Sequence, residues 1–184
     1  MARARRAVPK NTIFHITIRG NNKRSLFRRD NEYRYFLKLL IRYKKKWKFL
    51  LYHYCLMKNH VHLLIKSTKS TNISKLMQGL ELAYGHYMKK RHSCIGHMWQ
   101  DRFKSKIVDT DEYLLMSGLY IENNPARASI VKRAADYRWS SARLYVLGEK
   151  NVLIDIDPKY LEMGDNDRER RENYLELLMS RIDE

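Results

Sequence analysis

With 184 residues, 44% of them hydrophobic, the chain is long enough for one domain with a real core. It carries 37 Lys and Arg against 20 Asp and Glu, a net charge of +17, and a field of that sign draws polyanions, nucleic acid first among them. Two cysteines, Cys55 and Cys94, exclude a disulfide framework and a four-cysteine zinc site, and no stretch approaches the roughly 20 apolar residues of a membrane span.

The cysteine usage fits a reducing cytoplasm, and the basic start "MARARRAVPKN" lacks the apolar run of a secretory signal. From Thr12, "TIFHITIR" alternates and is rich in β-branched residues, so it predicts a strand. A basic Gly/Asn loop, "GNNKRSLF", follows. From Asp30, apolar spacings of three and four predict a helix. "FLLYHYCLM" reads as a second strand, Lys58-Asn59 as a tight turn exploiting the tolerance of Asn for left-handed geometry, and "HVHLLIK" as a third strand antiparallel to the second. "ISKLMQGLELAYGHYMKKR" predicts another amphipathic helix, and "RFKSKIVD" a fourth strand.

A third helix is expected over "TDEYLLMSGLYIENN", capped by Thr110 or Asp111 and stopped by Pro125. A short fourth helix ends near Gly148, and the charged segment "NDRERRENYLELLMSRIDE" can be helical. The order β-α-β-β-α-β followed by helices predicts an α+β, ferredoxin-like antiparallel sheet. Residues 1–148 would form the functional domain and residues 149–184 a charged extension.

The chemistry is sought on the third strand. Residues two apart on a strand share a face, so His60 and His62 point one way and Val61 and Leu63 the other. A divalent ion needs ligands converging from one side, and neutral imidazole is a common one; two half-buried histidines in ordinary hydrogen bonds would look the same. On the third helix, Tyr120 and Asn124 lie four apart and share a face. Asn124 can offer a carbonyl oxygen to a hard cation. A phenol, which ionises near pH 10, is a weak nucleophile, yet it can attack a phosphodiester whose phosphate is polarised by a cation. With 13 tyrosines in the chain, composition alone does not single out Tyr120.

Together, "FHITIRGNNKRSLF", "YHYCLMKNHVHLLI", "MWQDRFKSKIVD", "YLLMSGLYIENNPARASIV" and "DYRWSSA" resemble the IS200-like, REP-associated tyrosine transposases, which are single-tyrosine HUH transposases. The resemblance runs from about residue 12 to about residue 145 and implies His60 and His62 as metal ligands and Tyr120 as nucleophile. It also implies Mg2+ or Mn2+ as cofactor, and cleavage and rejoining of single-stranded, hairpin-forming DNA through a 5′-phosphotyrosine. The third ligand in related transposases is a Gln at the position of Asn124, one methylene longer. Tyr113 is a rival nucleophile, two turns away on the same helix. A monomer is expected over a homodimer.

Arg19, Asn21, Lys23, Arg24, Arg28, Arg29, Arg102, Lys104 and Arg127 are candidate DNA contacts, since Lys and Arg neutralise phosphate. Phe27, Trp99, Phe103 and Trp139 are candidate stacking platforms, with core packing the expectation for Trp139. Lys44, Lys45 and Lys46 read as a solvated helix face. Two other functions compete. One is a non-catalytic nucleic-acid binder, although "HVHLLIK" lacks the aromatic block of RNA-recognition sheets. The other is a zinc hydrolase using Cys55, His60 and His62, for which strand parity does not fix Cys55 and no nearby Glu supplies a base.

Overall fold

The computed structural model describes residues 9–92 and 96–182, so the N-terminal basic arm and Cys94 lie outside the described residues. Four strands, β1 (Ile13–Arg19), β2 (Leu50–Met57), β3 (His60–Lys66) and β4 (Lys104–Val108), form one sheet in the order β2-β3-β1-β4. Every neighbouring pair is antiparallel. With α1 (Asp30–Trp47) joining β1 to β2 and α2 (Ile73–His92) joining β3 to β4, this is the ferredoxin-like arrangement the element order predicts.

The period of two sorts each strand into two faces. Phe14, Ile16 and Ile18 of β1 and Val61, Leu63 and Ile65 of β3 bury themselves against Phe36 and Leu40 of α1 and Leu76 and Leu80 of α2. The opposite face carries Cys55, Met57 and Leu64 against Leu114 and Ile121 of α3 (Asp111–Arg127). Phe27, Phe103 and Trp139 belong to the first of these cores. Trp139 stacks on Tyr33 at 4.5 Å between ring centroids. These three rings are therefore packing groups rather than open platforms, because the apolar faces that would stack a base are already covered.

α3 is covered on its outer side as well. Leu119 packs with Tyr145 of α4 (Ala142–Leu147), Tyr160 of α5 (Pro158–Leu161), and Tyr174 and Leu178 of α6 (Asp167–Ser180). The chain beyond Gly148 returns along the free edge of β2. The Leu51 and Asp155 main chains bond at 2.9 Å, and Leu51 N–H donates to the Asp155 carboxylate at 2.8 Å. Lys44 reaches the same carboxylate at 2.6 Å and the Leu153 carbonyl at 2.7 Å. Lys44 thus anchors this segment instead of standing on a solvated face, while Lys45 and Lys46 are exposed. At the other edge, Lys104 and Lys106 point out from β4, a common device against edge-to-edge pairing.

Two further local expectations are corrected. Pro125 does not stop α3, which continues to Arg127. Proline removes the N–H that would bond the Ile121 carbonyl, and the Asn124 amide donates there instead, at 3.4 Å, and to the Tyr120 carbonyl at 2.7 Å. The Lys58-Asn59 turn does join β2 to β3, but neither residue is left-handed. Its carbonyls are held by the basic loop that follows β1: Gly20 N–H bonds Asn59 at 2.9 Å and Leu26 N–H bonds Lys58 at 2.7 Å. At the start of α3, Thr110 caps the helix by accepting from Tyr113 N–H.

Candidate functional site

Antiparallel register lays the α3 face of the sheet out in rows, since residues directly opposite share a face. One row is Met57, His60 and Arg19; the next is Cys55, His62, Thr17 and Lys104; the third is His53, Leu64, His15 and Lys106. The His-x-His pair therefore meets a third histidine from β1. His15 Nε2 lies 2.9 Å from His62 Nδ1, and Thr17 Oγ1 lies 3.3 Å from the same nitrogen. The His60 and His62 rings stand edge to face, 5.0 Å apart.

α3 crosses above these rows and lowers Tyr120 onto them. The Tyr120 ring is 6.0 Å from that of His62 and 5.9 Å from that of His15. It remains 44% exposed, with the Arg127 guanidinium 5.2 Å over its face. Tyr113, two turns back and 54% exposed, meets Lys106 at 5.5 Å instead of the histidines. Asn124 sits one turn beyond Tyr120 with its amide nitrogen turned back on the helix, and it makes no hydrogen bond to His60 or His62.

The local field keeps the imidazoles neutral. Burial, then the Lys106 charge, pushes His15 down to about 4. Burial, then Arg19, pushes His60 down to about 4. Burial, then the neighbouring His15, His60 and Arg19, pushes His62 down to about 2. Neutral imidazoles keep a ring lone pair for a cation at pH 7, which metal binding requires.

Two neutral imidazoles could hold a divalent ion with positions left open for oxygen donors. His60 Nδ1 is occupied by Asn59 Oδ1 at 2.7 Å, and His62 Nδ1 by His15, which leaves each Nε2 as the available nitrogen. Among the described residues, no group of three or more His, Cys, Asp and Glu side chains is arranged to hold a metal. Completion would fall to an amide oxygen, water or phosphate. Cys55 stands opposite His62 on the same face, a point that strand parity read from sequence left open. It is fully buried, and burial raises its thiol well above the usual range, which argues against a thiolate ligand.

Of the candidate DNA contacts, Arg19, Lys104 and Arg127 are exposed beside the histidines. Lys23, Arg28 and Arg29 are exposed on the loop between β1 and α1, Asn21 and Arg24 are half-buried there, and Arg102 is exposed just before β4. The loop is pinned by Glu32, whose carboxylate accepts from Arg28 N–H at 2.5 Å, Arg29 N–H at 3.1 Å and His92 Nε2 at 2.5 Å. Sequence reading missed His15, Thr17 and Lys106. Their signal was the polar half of the alternation in "FHITIR" and "KSKIV", which registers opposite His62 only once strand pairing is known.

Among the described residues no helix is long and apolar enough to cross a membrane. No curated protein matches the sequence. The fold is similar to that of a REP-associated tyrosine transposase solved bound to a REP hairpin, with a TM-score of 0.69 at 19% identity over 85% of this chain and 93% of that one. A provisionally named transposase from Deinococcus radiodurans aligns with a TM-score of 0.46 at 19% identity, over 67% of this chain and 97% of that one. The family model for IS200-like transposases matches residues 9–124, which span β1 through the Tyr120 turn of α3. The chain belongs to the IS200-like transposases, a family of DNA-cleaving enzymes.

Proposed function

We propose that the protein cuts and rejoins single-stranded DNA by transesterification, with Tyr120 as nucleophile and His60, His62 and Asn124 holding a Mg2+ or Mn2+ ion. The observation that carries this reading is the half-exposed Tyr120 phenol placed against His62 and His15. The bound ion would polarise the scissile phosphate as a Lewis acid. Tyr120 Oη forms the new bond to phosphorus as the bond to the 3′ oxygen breaks; the phenol gives up its proton to solvent and the departing 3′ oxygen takes one from solvent. The strand then ends in a 5′-phosphotyrosine and a free 3′-OH. Attack by a 3′-OH on that linkage reverses the step, so rejoining needs no nucleotide cofactor.

The surrounding charges suit the substrate. Arg19, Lys104, Lys106 and Arg127 border the phenol and imidazoles, where they can neutralise phosphates on either side of the cut. The similar structure was solved with a REP hairpin, and hairpin-forming DNA is the substrate class we assign here. Tyr120 meets His62 and His15 of its own chain, so a monomer suffices to assemble the site and is the working unit we assign.

The test uses a labelled single-stranded hairpin with Mn2+. The wild type should release a free 3′-OH fragment and become covalently labelled. Tyr120→Phe should bind the hairpin normally yet form no adduct. An adduct that survives Tyr120→Phe overturns the assignment of the nucleophile, and binding without cleavage under any divalent ion leaves a non-catalytic DNA-binding protein.

A further inference from the structure

A neutral imidazole offers a lone pair on one nitrogen only, and the hydrogen bond made by the other nitrogen decides which. The two histidines of His60-Val61-His62 have different partners for that bond. His60 Nδ1 lies 2.7 Å from Asn59 Oδ1. An amide oxygen only accepts, so His60 Nδ1 must carry the proton. The amide is itself oriented, because Asn59 Nδ2 faces the Lys23 carbonyl at 3.5 Å. His62 Nδ1 has only ring and hydroxyl partners, His15 Nε2 at 2.9 Å and Thr17 Oγ1 at 3.3 Å. One proton lies between the two rings. If it belongs to His15, His62 turns an N–H toward the site; if it belongs to His62, His62 Nε2 is a free lone pair.

We infer that Asn59 and His15 are positioning residues that fix His60 and His62 as Nδ1–H tautomers, so that both Nε2 lone pairs would be left to hold a cation. This rests on the metal-dependent reading above and extends it to two residues that do not touch the ion. His15 is spent as an acceptor: its Nε2 accepts the hydrogen bond from His62 Nδ1–H and is not itself a ligand. Ligating histidines generally donate their second N–H to an outer partner, and loss of that partner weakens metal binding about 10–100-fold. Here the outer partners are a side-chain amide and a third imidazole, both inside the same β1–β3 and turn framework.

The experiment reads tautomers and metal affinity, not activity. Two-bond proton–nitrogen NMR of the metal-free full chain at pH 7 should show His60 and His62 as Nδ1–H. Mn2+ titration followed by electron paramagnetic resonance should show about 10–100-fold weaker binding for His15→Leu and for Asn59→Ala. Tight binding should return in His15→Gln and Asn59→Asp, which keep an acceptor oxygen, and thermal melts on all four variants report folding. A His62 signal of the Nε2–H tautomer in the wild type overturns the inference. So does unchanged Mn2+ affinity in a folded His15→Leu. Absence of Mn2+ binding in the wild type overturns the metal reading itself and this inference with it, whereas tight wild-type binding that His15→Leu leaves intact overturns only this inference.

Discussion

Two histidine clusters occupy the same face of one sheet, His53 even sharing a row with His15, and the sheet treats them in opposite ways. His15 and His60 are half-buried and His62 is buried beneath Tyr120; they have Arg19 and Lys106 for neighbours and are held neutral. His53 is fully buried between two carboxylates, Glu122 at 2.9 Å and Asp157 at 3.0 Å. Burial opposes its charge, but Glu122 and Asp157 outweigh burial and raise it to about 9. Glu122 also accepts from Ser141 Oγ at 2.5 Å and Tyr174 Oη at 2.8 Å, so every member of the cluster is bonded. The dry cluster ties β2, α3 and the C-terminal helices together. The other lies beside the half-exposed Tyr120. Identical side chains become a charged fastener or a neutral cluster according to the charge beside them and their burial.

The sharpest way to break this contrast is to remove one partner from each cluster. Glu122→Ala leaves a buried imidazole and two hydroxyls without their acceptor and should cost about 3–5 kcal/mol in a denaturant melt. His60→Ala, at a half-exposed position, should change stability by no more than about 0.5 kcal/mol while abolishing metal-dependent cleavage. The second effect is on pH. His53 is raised in the fold, so its stabilisation is complete below pH 6.5 and is lost as pH climbs through about 9, by up to roughly 3 kcal/mol. The site histidines are lowered, so their contribution is present above pH 6.5 and is lost as pH falls toward about 4. Without added metal, stability should peak near pH 6.5, and His53→Gln should flatten the alkaline limb alone.

A smaller effect comes from Gly118, where an added Cβ would lie 2.7 Å from the His53 ring. Gly118→Ala should destabilise by about 1–3 kcal/mol and move α3, with Tyr120 and Asn124, away from the sheet, slowing cleavage and weakening Mn2+ binding. The smallest effect belongs to the rim. Lys106→Gln should weaken DNA binding modestly and reduce the slope of log affinity against log salt by about one, as measured by fluorescence anisotropy.

Period and spacing made much of this legible in the sequence. Alternation located the strands, the His-x-His parity placed two imidazoles on one face, and the four-residue spacing put Asn124 one turn from Tyr120. What stayed hidden depends on pairings distant along the chain. His15 finds His62 across 47 residues, and His53 finds Asp157 across 104, and no local pattern encodes either register. Glu122 reads locally as an ordinary helix acid, yet it faces inward because it lies two residues from Tyr120, on the opposite side of α3. Pro125 suggests a helix stop for a related reason: nothing in the local pattern shows that the Asn124 amide bonds the Tyr120 and Ile121 carbonyls.

Gly118 lets α3 lie against the sheet, Glu122 fastens it from within, and α6 closes over its back. A DNA end joined to Tyr120 would hang from a part of the molecule with no swing of its own. Whatever travels between breaking one junction and sealing another must then be the nucleic acid, threading past a stationary phenol.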